Sequence, residues 1–219
     1  MKNRASVEKR IVEIIKVLHR SYPLSKTALY YRTPFEILIA TMLSAQCTDK
    51  RVNKITPVLF KKYKNVHGFS KARRSVLERE IRSTGFYRNK AKNIIFSSKR
   101  IVEDFRAQVP DTMAELVTLP GVARKTANIV LSSGFKKAEG IAVDTHVKRL
   151  SGRLGLTSYN DPVKIERDLM KIVPKKDWID LNYMLVEHGR ETCKARRSLC
   201  AECCISELCP SRDKFLSES

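Results

Sequence analysis

The stretch LPGVARKTANIVL, running from Leu119 to Leu131, reads as helix, tight turn, helix. Upstream of it, Asp111 or Thr112 is placed to cap the incoming helix, and Thr112 with Glu115 has the spacing of a capping box. Leu116 and Leu119 continue the apolar face of that helix, and Pro120-Gly121 breaks it. A second helix is expected to start near Val122, to bury Ala127, Ile129 and Val130, and to stop at Gly134. The first turn of a helix presents backbone N–H groups at the positive end of the helix dipole, a ready seat for a phosphate. Lys125 stands in that turn beside Arg124. Both neighbours disfavour an ammonium and favour the free amine, the nucleophilic form. One short segment is thus suited to hold a nucleic-acid backbone and to supply a nucleophile.

The rest of the chain reads as helix as well. Val7, Ile11, Ile14, Ile15 and Leu18 form one apolar stripe at helical spacing. Thr33-Pro34-Phe35-Glu36 is a capping box with proline at the first helical position, opening a helix that carries Phe35, Leu38, Ile39, Met42 and Leu43. Asp161-Pro162 repeats the cap-then-proline signal before Ile165, Leu169 and Ile172, and a last helix through Leu181, Met184 and Leu185 is expected to end near Gly189. No sustained alternation of period two demands a sheet. The fold class is all-α, and 219 residues suit one large domain or two small ones. The division expected is a helical domain over residues 27–138 that holds the hairpin. Residues 1–26 and 139–219 then make a second helical domain that holds the cysteines.

The charge narrows the partners. Forty-three Lys and Arg against 23 Asp and Glu leave a formal net charge of +20, and an excess of that size points first to nucleic acid. The basic residues come as scattered pairs, such as Lys61-Lys62, Arg73-Arg74, Lys99-Arg100 and Lys148-Arg149, so the charge belongs to a folded surface rather than to a tail. Charged residues interrupt every apolar stretch near the start, and no run approaches the ~18 apolar residues of a membrane span. The expectation is an intracellular, DNA-associated protein with no membrane attachment.

Five of the six cysteines lie between Cys193 and Cys209, which is not how a disulfide scaffold spreads its bridges. Cys193, Cys200, Cys203 and Cys209 put four thiols inside 17 residues, a density that suits an iron–sulfur cluster or a structural zinc. Spacing by itself does not choose between them. Cys204, next to Cys203, is a poor co-ligand and is expected to pack; Cys47 is remote and reads as an inert core thiol. Lys194, Arg196 and Arg197 fall in the first loop between these cysteines, where they would form a phosphate-binding finger and offset the thiolate charge.

These residues resemble the endonuclease III family of DNA glycosylases, within the helix-hairpin-helix superfamily. The resemblance covers roughly Thr33 to Pro210 and rests on four motifs in order: LSAQCTD from Leu43, LPGVARKTA from Leu119, VDTH from Val143, and the cysteine spacing. It implies a six-helix barrel carrying the hairpin, an iron–sulfur cluster lobe, and a [4Fe–4S] cluster on Cys193, Cys200, Cys203 and Cys209. It implies that Lys125 is the catalytic lysine and Asp144 the catalytic aspartate. Gln46 would fill the hole left by an extruded base, and Phe86 would stand where the family usually places a leucine wedge. Gly121, Ala123, Arg124 and Thr126 of the hairpin, with Arg197, would contact damaged double-stranded DNA, bound by a monomer.

The activity implied is removal of oxidised pyrimidines such as thymine glycol, followed by cleavage of the abasic site through a Schiff base. Two rivals stand beside it. A monofunctional mismatch glycosylase commonly lacks the lysine, so Lys125 argues against it; a non-catalytic iron–sulfur protein that binds DNA or senses redox state would bind damaged duplex without cutting. Considered alone, a helical lysine is usually surface and an aspartate at a helix start is usually a cap. Ala123 stands where the hairpin of the family usually has its second glycine. A left-handed backbone there would cost alanine ~1 kcal/mol, and a helical one nothing; the expectation is that Ala123 is helical.

Overall fold

The computed structural model describes residues 4–216. Its helices in chain order are α1 (Arg4–Ser21), α2 (Pro34–Ser44), α3 (Asp49–Tyr63), α4 (Val66–Ser70), α5 (Arg74–Glu80), α6 (Tyr87–Asp104), α7 (Met113–Leu116), α8 (Arg124–Ile129), α9 (Thr145–Arg153), α10 (Pro162–Ile172), α11 (Trp178–Glu191) and α12 (Arg212–Leu216). Short 3-10 turns join several of them, and there is no strand among the described residues. The fold is all-α, as the patterning predicts. The chain divides into two compact units, one of residues 28–139 and one of residues 1–27 with 140–219.

The unit of residues 28–139 is built on α2, whose residues from Ile37 to Leu43 are all buried. A helix apolar on every side belongs at the centre of a bundle, and α3, α6 and α8 pack around it. Its start follows the sequence closely: Thr33 Oγ1 accepts from the Glu36 N–H at 3.1 Å, and Pro34 fills the first turn. The Glu36 carboxylate reaches back one residue further than a standard capping box, taking the Arg32 N–H at 2.6 Å. Phe69, buried, gathers the rings of Phe35 at 5.5 Å, Phe60 at 6.3 Å and Tyr63 at 4.7 Å. The helix entered at Arg124 relaxes after Ile129 into one π-type turn, Val130–Gly134, which lies against α2.

The other unit buries the α1 stripe of Ile11, Ile14, Ile15 and Leu18 against Val147 and Leu150 of α9, Ile165 and Leu169 of α10, and Leu181, Met184 and Leu185 of α11. Arg10 fastens α1 to the end of α9 and to the C-terminal segment, donating from Nη1 to the Leu154 carbonyl at 2.7 Å and to the Leu208 carbonyl at 3.0 Å. Asp161 caps α10 through the Lys164 N–H at 2.9 Å, with Pro162 at the first helical position. No helix among the described residues is long and apolar enough to cross a membrane.

Candidate functional site

The hairpin at Pro120-Gly121 is held from below by α6. Ser97 Oγ donates to the Pro120 carbonyl at 2.7 Å, and Arg100 Nη1 donates to the Thr118 carbonyl at 2.7 Å. Gly121 has φ +78°, the left-handed region, and a Cβ placed on it would stand 2.6 Å from Asn93 Nδ2 and 2.8 Å from Asn93 Cβ. Both the backbone angle and the approach to α6 demand glycine here. Gly121→Ala is therefore expected to cost about 2–4 kcal/mol, combining left-handed strain with overpacking. Denaturant unfolding measures it; a loss under about 0.5 kcal/mol would show that this turn is not built as described.

The helix begins later than its sequence suggests. Ala123 is the N-cap of α8 at φ −91°, ψ 169°, and Arg124 is the first helical residue. Ala123 is extended rather than helical. Its φ is negative, so alanine carries no left-handed strain, and the burden of the turn falls on Gly121 alone. An alanine cap offers no side-chain oxygen to the first-turn amides. Lys125 is the second residue of the helix and half-buried, between half-buried Arg124 and Thr126, while Gly121 and Ala123 are exposed.

Gln46 and Phe86 line one depression in this unit, together with Met42, Asn89, Lys90 and Gly121. Both have left-handed backbones, Gln46 at φ 52° and Phe86 at φ 46°. A glutamine and a phenylalanine pay for that conformation, and such strain concentrates where a protein meets a ligand. Phe86 is 62% exposed, a large apolar side chain that the core does not use. Lys90, buried beneath them, is a residue the sequence reading passed over.

In the other unit Asp144 is the N-cap of α9. Its Oδ1 accepts from the His146 N–H at 2.8 Å and the Val147 N–H at 2.9 Å. The segment leading to it is buried through Ile141, Ala142 and Val143, and Asn182 of α11 fixes it by donating to the Ala142 carbonyl at 2.6 Å. His146 Nδ1 lies 3.2 Å from Arg149 Nη2.

Cys193, Cys200, Cys203 and Cys209 line one cavity of this unit, walled by Leu150, Leu154, Ile205 and Phe215. All four are free thiols. Among the described residues no three or more His, Cys, Asp or Glu are grouped so as to hold a metal ion as they stand. Burial pushes the thiols of Cys200 and Cys209 up and that of Cys203 up to about 12. Thiolates of these three therefore form only with positive charge to meet them. Arg153 supplies some, with Nη1 at 3.2 Å from Cys193 Sγ. The same Nη1 donates at 2.7 Å to Ser198 Oγ and to the Lys194 carbonyl, so one arginine shapes the basic loop. Arg149 secures its start, donating from Nη2 to the carbonyls of Cys193 and Gly189, both at 2.9 Å. Arg197 stands exposed on that loop at φ 52°.

Two cysteines depart from expectation. Cys47 is half-buried in the turn after α2 and is not a core thiol, because the helix ends at Ser44 and carries it clear. Cys204 is exposed, since the 3-10 turns at 200–202 and 206–208 direct Cys203 and Cys209 inward and leave it outside.

Residues 39–175 match the model of the HhH-GPD superfamily of base excision DNA repair proteins, and the chain belongs to that family. Within it the similarity is to endonuclease III: the chain is 52% identical over 211 residues to endonuclease III of Synechocystis sp., covering 96% of each. Its fold matches the structure of a non-covalent endonuclease III–DNA complex with a TM-score of 0.90 at 41% identity, covering 96% of this chain and 98% of the other. A trapped endonuclease III–DNA covalent intermediate matches equally well, at TM-score 0.90 and 41% identity over 95% of this chain and 98% of the other.

Proposed function

We propose that the chain is a base-excision DNA glycosylase with abasic-site lyase activity, that Lys125 is its nucleophile, and that oxidised pyrimidines of the thymine glycol type are its substrates. The observation that carries this reading is the place of Lys125: second residue of α8, four residues past the left-handed Gly121 corner. It stands in a chain matched nearly end to end by an endonuclease III trapped covalently on DNA. A monofunctional enzyme, which activates water instead, has no use for an amine at that place.

A glycosylase reaches the sugar–base bond only after extruding the nucleotide from the stack. The Lys125 amine then attacks C1′ of the deoxyribose, the bond to the damaged base breaks, and the base leaves with the bonding electrons. Ring opening leaves a protonated imine between C1′ and Nζ. Loss of a C2′ proton then expels the 3′ phosphate by β-elimination and cuts the strand. Asp144 offsets the positive charge that develops on the sugar. Gln46 fills the vacated stack and Phe86 wedges beside it. Gly121, Ala123, Arg124 and Thr126 seat the phosphates, with Arg197 as a second contact. The protein acts as a monomer on DNA inside the cell. Its catalytic hairpin belongs to a domain of residues 27–138 and its cysteines to a domain of residues 1–26 and 139–219.

The cysteine cavity fits a [4Fe–4S] cluster: four free thiols share it, and burial holds those of Cys200, Cys203 and Cys209 protonated unless cationic iron offsets their charge. Cys193, Cys200, Cys203 and Cys209 would hold the cluster, which would cross-link this turn-rich segment. Iron and sulfide analysis of protein purified without oxygen is expected to give about four of each per chain. Cys203→Ser is expected to lose the cluster's visible absorbance, and stoichiometric zinc in its place would overturn the assignment.

Borohydride reduction tests the chemistry. The wild-type protein is expected to give a covalent adduct on abasic duplex, and its absence would sink the lyase reading. Duplexes carrying single defined lesions test the substrate: thymine glycol should be cut well ahead of an oxidised purine, and the reverse order would refute the pyrimidine reading.

A further inference from the structure

Lys90, near the start of α6, is 6% exposed, and its ammonium donates to two backbone carbonyls from different parts of the unit. One is Leu43, at 2.8 Å, in the last turn of α2 and three residues before Gln46. The other is Thr84, at 2.7 Å, two residues before Phe86. The Lys90 amide adds a third tie, donating to the Phe86 carbonyl at 3.0 Å. Burial draws its amine below the ordinary lysine range. Taking an ammonium out of water is costly, and a methionine, one atom shorter, would occupy most of the space without that cost. The charge is justified by what the two carbonyls have in common: each anchors a loop whose tip is a left-handed, exposed residue lining the same depression.

We propose that Lys90 is a positioning residue that clamps the Gln46 loop and the Phe86 loop at one fixed separation, so that plug and wedge enter the duplex as a unit. The proposal rests on the reading of those two residues as DNA-inserting. It assigns Lys90 a role in telling a damaged site from intact duplex, because only a site that opens receives both side chains. Hydrogen bonds from a charged donor are the strong ones, and losing both lets either loop tip move without the other.

The test compares affinity for a duplex holding a tetrahydrofuran abasic analogue with affinity for the same duplex undamaged. Lys90→Met is expected to lower that ratio by about tenfold, the worth of one charge-assisted bond. Its affinity for intact duplex and the salt slope should stay unchanged. Lys90→Arg, which keeps a donor, should recover part of the ratio. Combining Lys90→Met with Gln46→Ala should add little to the loss from Gln46→Ala alone, since a plug that is gone needs no clamp. A ratio left at the wild-type value, losses that multiply independently, or a fall in affinity for both duplexes alike would each overturn the proposal, the last by showing a merely structural lysine. If Gln46→Ala and Phe86→Ala themselves leave the ratio untouched, the DNA-inserting reading fails, and the clamp with it. Should Lys90→Met not fold, amide exchange in Lys90→Arg decides. Residues 43–48 and 83–88 are expected to exchange several-fold faster together while residues 94–101 stay protected, and loosening of one loop alone refutes the clamp.

Discussion

Lys125→Ala is expected to abolish borohydride trapping and to slow strand cleavage by at least about a thousandfold, with the protein still folded and still bound to DNA. The size follows from the chemistry: without the amine no imine forms, and β-elimination loses the cation that makes the C2′ proton acidic. Little else should change. Lys125 is half-buried in the first turn of α8, and the helix keeps its packing through Ala127, Ile129 and Val130, all buried. Alanine is the better helix former, so the substitution carries no propensity penalty. Removing one cation lowers the salt slope of duplex binding by no more than about 0.9, against the several phosphates a bound duplex contributes. Single-turnover cleavage and equilibrium binding measured on the same preparation separate the two effects. A variant that still cuts abasic DNA at the wild-type rate would remove Lys125 from the reaction. The wild-type adduct would then have to be mapped to another amine.

How much of this was legible in the sequence depends on the reach of each interaction. Local signals were read well. Thr33, Thr112 and Asp161 cap the helices their spacing marks, because a cap is a bond across three residues. The Pro120-Gly121 corner is likewise local, although its positive φ belongs to Gly121 and the position of Ala123 proved extended rather than helical. Long-range burial was not legible. Lys90 sits in a polar run, YRNKAK, and only the approach of α2 from 47 residues earlier turns it inward. Arg149 and Arg153 belong to a basic face of α9 by pattern, yet both fold over the loop after Cys193, 40 and more residues on. His188 is fully buried with Tyr22 Oη at 3.0 Å and Cys203 Sγ at 3.5 Å, and burial draws its pKa down to about 4. Nothing in the helical run around it announces that position. Cys47 and Cys204 failed for the complementary reason: a cysteine usually packs, but these two lie in turns whose course the sequence does not reveal.

Asp144→Asn is expected to separate structure from chemistry at a residue that serves both. As N-cap of α9, Asp144 uses one oxygen, Oδ1, to accept from the amides of His146 and Val147 at 2.8 and 2.9 Å. The asparagine carbonyl accepts the same two bonds, and Asn ranks with Asp as a cap. What the substitution removes is the charge, at a loss of about 0.3–1 kcal/mol of interaction with the helix dipole. For a chain of this length that lowers Tm by about 1–4 °C. Cleavage should fall far more, by about 10²–10⁴, because a neutral amide neither stabilises a cationic sugar nor takes up a proton. Asp144→Ala adds the loss of the cap, ~1 kcal/mol further, and should cleave no faster than the asparagine variant. The ordering is the point. If α9 needed only its cap, Asn would keep both Tm and activity while Ala lost both, and activity would follow stability across the pair. If the carboxylate acts in the reaction, Asn loses activity with Tm nearly intact. Full cleavage by Asp144→Asn would reduce Asp144 to a cap and leave charge stabilisation at the sugar to another group.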